Sequence, residues 1–399
     1  MRNRIASRMS AISPSLTLAI SAKAKAMKAA GENVVSFGVG EPDFNTPDHI
    51  IRSAKAALDN GYTKYTPSSG LLPLRKAICD KFKEDNGLDY EPSQIIVSNG
   101  AKHSIFNVCY AVLEEGDEVI IPAPYWLTYP EVVKVCGATP VYIDCKKENK
   151  FKFSAEDLKK AITPKTKMLI FNSPSNPTGA VYTEEEVRAI AKVCEEAEIF
   201  VLADEIYEKL CYNGVKAFSI AKCSEKMKDL TITVNGVSKT YAMTGWRIGY
   251  LGAPKDIAKA IDSFQSHATS NACSISQYAT IEALKSTDEE IGEMVDIFDK
   301  RRAKLLKLID EIDGVEAVEP DGAFYVMLVV GGLYGKSYNG KVMNDSIEFA
   351  DTLLDAEKVA TVPGISFGAP DCIRLSYALS ESDIEEGLKR IKRFVENLA

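Results

Sequence analysis

Between residues 94 and 252 the chain alternates short β-branched apolar runs with longer amphipathic stretches, and that alternation leaves few folds open to it. The runs fall at 95–97, 118–122, 140–143, 168–171, 200–203, 231–234 and 248–251, most of them separated by a helical pattern. A strand, a helix and another strand need a crossover connection, so the strands lie mostly parallel in a sheet covered by helices on both faces. Helix-start signals agree: Thr46 before Pro47, and the capping-box pairs Thr183 with Glu186 and Ser382 with Glu385.

After about residue 282 the texture changes. A charged stretch, 288–312, repeats its apolar residues at helical spacing. A strand is expected at 323–330, a helix at 346–354, a strand at 372–376 and a last helix from Asp383. The glycines at 331–340 mark a loop. The expected fold class is α/β, with a mostly parallel central sheet in a large domain, 44–285. A smaller α+β domain, 286–399, is joined by the N-terminal segment 1–43.

Composition removes several functions. The 48 basic and 56 acidic residues give a net charge of −8 and no basic stripe, so nucleic acid is not an expected partner. Three histidines, His49, His103 and His267, are too few for a His-rich metal site. Nine scattered cysteines without a C-x-x-C pair suit a cytoplasmic protein in which they act as small core hydrophobes. No window approaches the ~18 apolar residues of a membrane span. Ser13, Pro14, Ser15 and Thr17 interrupt any apolar stretch of signal-peptide length.

In an open parallel sheet, ligands bind beyond the carboxyl ends of the strands. Three runs carry polar residues there: 168–171 leads into Asn172-Ser173-Pro174-Ser175-Asn176-Pro177-Thr178-Gly179, 200–203 into Asp204-Glu205-Ile206-Tyr207, and 231–234 into Asn235-Gly236-Val237-Ser238-Lys239. Taken singly, Asp204 reads as a helix cap, Asn176 and its neighbours as a turn and Lys239 as a solvated loop lysine. Together they place a lysine, a carboxylate, a tyrosine and an asparagine in one polar pocket, which packing does not call for. That set suits one chemistry. A lysine amine condenses with an aldehyde to a Schiff base, and a carboxylate facing a pyridine nitrogen keeps it protonated so that the ring accepts electrons.

Gly236-Val237-Ser238-Lys239-Thr240-Tyr241-Ala242-Met243-Thr244-Gly245-Trp246-Arg247-Ile248-Gly249 resembles the lysine-site signature of class I, fold type I, pyridoxal-phosphate-dependent aminotransferases. The resemblance extends over Gly38-Val39-Gly40, Tyr62 to Tyr65 with Gly70, Ser98-Asn99-Gly100-Ala101-Lys102, Pro124-Tyr125-Trp126 and Arg374-Leu375-Ser376-Tyr377. In effect it spans the chain, with spacings most similar to bacterial aspartate aminotransferases of subclass I-beta. It implies that Lys239 holds pyridoxal 5′-phosphate and moves the substrate proton, that Asp204 faces the pyridine nitrogen, and that Tyr207 and Asn176 donate to the ring oxygen. Trp126, otherwise a core aromatic, would stack on the ring. Gly100, Ala101 and Lys102 at a helix start would receive the phosphate, with Ser238 and Arg247. Gly236 stands where some relatives carry a serine, so one phosphate hydroxyl is missing. Tyr65 would reach the phosphate of a neighbouring subunit, which makes the expected assembly a homodimer with shared sites. The resemblance further implies that Arg374 binds the substrate carboxylate, with Asn176 and Gly40 assisting, and that cis bonds precede Pro124 and Pro177.

No arginine lies between Arg247 and Arg301, so the partner-subunit arginine of the best-known aspartate aminotransferases has no counterpart. The I-beta relatives resemble this chain in carrying a lysine and a threonine at Lys102 and Thr17, which would hold a distal carboxylate; Lys102 reads equally as a phosphate neighbour. Ser13 stands where relatives that accept prephenate tend to carry a lysine. The expectation is transamination between aspartate and 2-oxoglutarate, that is, of small amino acids and 2-oxo acids. The rivals are an aromatic or branched-chain aminotransferase, a non-catalytic relative, and a nicotinamide-dependent dehydrogenase. The last lacks its G-x-G-x-x-G turn, because Gly38-Val39-Gly40-Glu41-Pro42-Asp43 fails at the final glycine.

Overall fold

The computed structural model describes residues 4–14 and 16–399. All seven expected central strands form: β1 (Ile95–Ser98), β2 (Glu118–Ala123), β3 (Thr139–Asp144), β4 (Thr166–Asn172), β5 (Phe200–Asp204), β6 (Thr231–Gly236) and β7 (Gly249–Gly252). They build one sheet in the order β1-β7-β6-β5-β4-β2-β3. Every neighbouring pair is parallel except the two made by β7, which runs antiparallel to both β1 and β6. The 231–252 region has no crossover helix between its strands, and without one adjacent strands join antiparallel.

Burial on both faces explains the run-like strands. Val119 and Ile121, Ile170 and Leu202 enter one core, with Ile105 and Val108 of the helix Ala101–Val112 and Ala258 and Ile261 of Lys255–Ala268. The intervening Ile120, Leu169, Phe171 and Val201 point the other way, onto Leu158 and onto Val187, Ile190 and Cys194 of Glu184–Ala197. The two-residue period of a strand thus feeds two hydrophobic layers.

Beside this sheet stands an antiparallel one, ordered Val362–Pro363, Cys372–Ser376, Tyr325–Val329, Glu316–Ala317. Helices Asp288–Ile309, Ser346–Glu357 and Glu381–Glu396 accompany it. Val35–Ser36 pairs in parallel with Val359–Ala360, so N-terminal chain is tied to C-terminal chain. No helix among the described residues is long and apolar enough to cross a membrane.

Three local expectations change. The last helix is capped by Ser380, whose hydroxyl accepts from the Asp383 amide, rather than by Ser382 with Glu385. Thr46 does not cap the helix Asp48–Asp59; its hydroxyl donates to the Ala242 carbonyl at 2.8 Å and accepts from the Trp246 indole at 2.9 Å. The 331–340 loop contains a 3-10 turn and the first strand of a small hairpin, Ser337–Tyr338 with Lys341–Val342. Thr183 with Glu186 is a capping box as expected, and all nine cysteines are unpaired.

Candidate active site

Strands β4, β5 and β6 are neighbours in the sheet, and register puts Asn172 beside Asp204 and Asp204 beside Val234. Their exits therefore open side by side. Asn172 turns the chain out of β4: its side-chain amide donates to the Asp204 carbonyl at 2.9 Å, and its oxygen accepts from the Asn176 amide at 2.9 Å. Cis bonds precede Pro124 and Pro177, and a third, not anticipated, precedes Pro174.

Asp204 is 4% exposed. It accepts from the Tyr129 hydroxyl at 2.7 Å and the Ile206 amide at 3.3 Å. Burial outweighs both bonds and pushes its carboxyl up to about 6. The Tyr207 and Tyr325 hydroxyls meet at 2.9 Å, and burial raises both phenols, so each stays protonated at neutral pH.

Lys239, half-buried, donates to the Gly40 carbonyl at 2.5 Å, its Nζ lying 5.9 and 5.7 Å from the Tyr207 and Phe324 ring centres. Burial first, then Arg374 and Arg247, lower its amine to about 8 against the pull of Glu41. At pH 7 that frees roughly a tenth of the amine, against less than about a thousandth for an ordinary lysine.

Arg374, 2% exposed, lies on the strand Cys372–Ser376. It donates to the Asn176 side-chain oxygen at 2.9 Å and the Gly38 carbonyl at 3.1 Å, and its guanidinium stacks 4.4 Å from the Tyr325 ring centre. Its Nε has no partner among the described residues. A buried guanidinium held only by neutral groups is costly and invites an anion.

On the other side, Gly100, at φ 87°, precedes the helix Ala101–Val112 and frees the first amides of that helix. A Cβ on Gly100 would lie 2.4 Å from the Arg247 guanidinium, and one on Gly249 would lie 2.2 Å from the Ala101 nitrogen. Only glycines let β7, this turn and Arg247 approach so closely. The Lys102 ammonium stands 4.8 Å over the Trp126 ring, and the buried Thr17 hydroxyl has no partner among the described residues.

These groups enclose a cavity of about 250 Å³. It is lined by Lys239, Asp204, Tyr207, Asn176, Trp126, Ala101, Lys102, Ser238, Arg247, Arg374, Gly40 and Thr17, so of the residues singled out from sequence only Gly100 and Tyr65 fall outside its wall. Tyr65 is 91% exposed. Sequence reasoning missed Tyr129, Asn172 and Tyr325. Asn172 was in view as the residue after a strand; nothing in their spacing marks the two tyrosines as turned inward.

The class I and II aminotransferase family matches residues 32–391. The chain is 50% identical to an aspartate aminotransferase of Bacillus subtilis over 98% of its length and 99% of that protein's. It superposes on the crystal structure of an aspartate aminotransferase from Rhizobium meliloti with a TM-score of 0.96, at 42% identity and with both chains fully covered. An aspartate aminotransferase from Thermus thermophilus with maleate gives 0.92 at 40% identity, over 99% of this chain and all of that one. The lysine, carboxylate and buried arginine at the sheet exits thus sit in a chain that belongs to the class I and II aminotransferases.

Proposed function

We propose that the cavity binds pyridoxal 5′-phosphate and that the chain transfers the amino group of L-aspartate to 2-oxoglutarate, giving oxaloacetate and L-glutamate. The observation that carries this reading is one cavity in which a depressed lysine amine, a buried carboxylate and an arginine with an unpartnered donor converge.

The donor set suits the cofactor. Asp204 is bonded by neutral donors and gains a cation when a protonated ring nitrogen faces it. The glycine cradle beside Arg247 presents helix-start amides to a dianion. When bound, the cofactor supplies an aldehyde for an amine and a pyridinium ring that takes up electrons from the substrate Cα.

Everything else falls to this chain's residues. Lys239 would hold the cofactor through its amine and, when that amine is free, would carry the proton taken from the substrate Cα. Asp204 keeps the ring nitrogen protonated. Tyr207, backed by Tyr325, and Asn176 donate to the ring oxygen, while Trp126 covers the ring face. Gly100, Ala101, Ser238 and Arg247 hold the phosphate. Arg374 clamps the α-carboxylate, with Gly40 lining its side. Thr17 and Lys102 receive the distal carboxylate; a similar protein solved with maleate, a dicarboxylate, supports a dicarboxylate as the substrate class.

The exposed Tyr65 fits a role in the site of a second copy, in a homodimer. Nine unpaired cysteines suit the reducing cytoplasm. The described residues divide into a large body within 44–285 and a smaller one made within 4–43 and 286–399.

Single-turnover mixing of the cofactor-loaded protein with individual amino acids tests the substrate. Aspartate and glutamate are expected to change the visible band fastest. Arg374→Lys weakens every amino acid, by about 10- to 100-fold for the lost fork of charge-assisted bonds. Lys102→Ala weakens aspartate and spares phenylalanine. Equal losses for both in Lys102→Ala contradict the distal-carboxylate role.

A further inference from the structure

Outside the residues that line the cavity lies a buried charged network that the reaction does not use. Lys81, with its side chain 5% exposed, pairs with Glu208, 7% exposed, and also donates to the Asn86 side-chain oxygen at 2.7 Å. The Asn86 amide nitrogen donates to Glu208 at 2.7 Å and to Glu205 at 3.2 Å. The Asn235 amide donates to the other Glu208 oxygen at 2.8 Å. Asp85 lies 3.6 Å from Lys81 and 2.6 Å from Lys209.

Local backbone brings the pieces together. Residues Phe82–Asn86 form a π-helical turn ended by Gly87 at φ 67°. In an α-helix residues five apart point to different sides; the wider π turn brings them near one another, so Lys81 and Asn86 share one target. That target belongs to the segment that carries the chemistry. Glu205 and Glu208 alternate with Asp204 and Tyr207 along a tight turn, in which the Glu205 amide donates to the Val234 carbonyl and the Glu208 amide to the Glu205 carbonyl. Asn235 lies on β6, four residues before Lys239.

We propose that Lys81 and Glu208, bridged by Asn86 and Asn235, are positioning residues: they fix the turn that carries Asp204 and Tyr207 and lock it to the strand that delivers Lys239. Burial, then Glu208, pushes the Glu205 carboxyl up to about 8, so near neutral pH a proton there leaves Glu208 as the charged partner of Lys81. The inference rests on the reading that Asp204 and Tyr207 face the cofactor ring, and its test separates the two ideas.

The first measurement needs no variant. In the cofactor-free protein, hydrogen exchange at the amides of Glu205, Ile206 and Glu208 is expected to be as slow as in the cofactor-loaded protein, because the network holds the turn in advance. If these amides exchange freely until cofactor is added, the cofactor orders the turn and the proposal is overturned. The second is the double variant Lys81→Met/Glu208→Met. Apolar replacement of a whole buried pair is commonly tolerated, so it separates folding from orientation. Expected are faster exchange at the three amides, a shifted pH midpoint of the visible band and a kcat lower by about tenfold with KM for aspartate little changed. An unchanged midpoint, with kcat within about twofold and exchange as in the parent, makes the network plain scaffolding and overturns the proposal. Should the double variant not fold, the parent exchange comparison decides alone. Failure of the parent protein to take up cofactor contradicts the proposed function, while exchange in the cofactor-free chain still reports on the clamp.

Discussion

A carboxyl group pushed from 3.8 to about 6 by burial costs the cofactor-free protein stability once it ionises. Because the folded value lies above the unfolded one, the contribution of Asp204 is full below its ordinary range and is lost as pH rises through about 6. The loss is on the order of 3 kcal/mol, from roughly two units at 1.36 kcal/mol each. Asp204→Asn should therefore make the cofactor-free protein more stable than the parent near pH 8, by roughly 1–3 kcal/mol, with the gap shrinking toward about pH 5. Urea unfolding at both pH values measures it; a variant no more stable at the higher pH contradicts the burial argument. At this scale the sequence was readable where chemistry demands a residue type, as with Lys239, Asp204 and Arg374. It was silent about Tyr129 and Tyr325, because an aromatic that hydrogen-bonds inside a pocket leaves the same apolar mark in a pattern as one that fills a core.

Among the elements, the junction of β7 with the turn at Gly100 is the tightest backbone contact at the site. A Cβ on Gly249 would stand 2.2 Å from the Ala101 nitrogen and 2.4 Å from the Gly100 carbonyl carbon, and backbone cannot step aside as a side-chain tip can. Gly249→Ala should displace the helix-start amides, weaken cofactor binding by about tenfold or more and destabilise the fold by about 1–3 kcal/mol. Titration of cofactor-free protein with pyridoxal phosphate checks this; unchanged affinity rules out the cradle. Element boundaries show where sequence signals compete. Thr183 with Glu186 stands alone and was read correctly, whereas Ser380 and Ser382 both sit before acidic residues and the earlier one caps the helix. The reversal of β7 left a mark that could have been used, since no helical pattern separates its run from the preceding one.

Over the whole molecule, parallel strands aim their carboxyl ends at one place, and that placement converts three unremarkable loops into one cavity wall. The antiparallel sheet supplies Arg374 and Tyr325, the N-terminal chain supplies Thr17 and Gly40, and the hydrogen bonds of Tyr207 with Tyr325 and of Arg374 with Asn176 join the two sides across the cavity. The alternation of runs made this architecture legible before any residue role was assigned. The third cis bond, before Pro174, escaped because a proline in a turn-rich stretch reads alike in either isomer. The account depends on the Lys239 amine, rather than any other of the chain, holding the cofactor aldehyde. Borohydride reduction of the cofactor-loaded protein followed by peptide mapping measures this directly. The expected result is a phosphopyridoxyl group on Lys239 alone, absent when excess aspartate is added before the reductant; a label on Lys102 or another lysine, or one that aspartate does not displace, contradicts it.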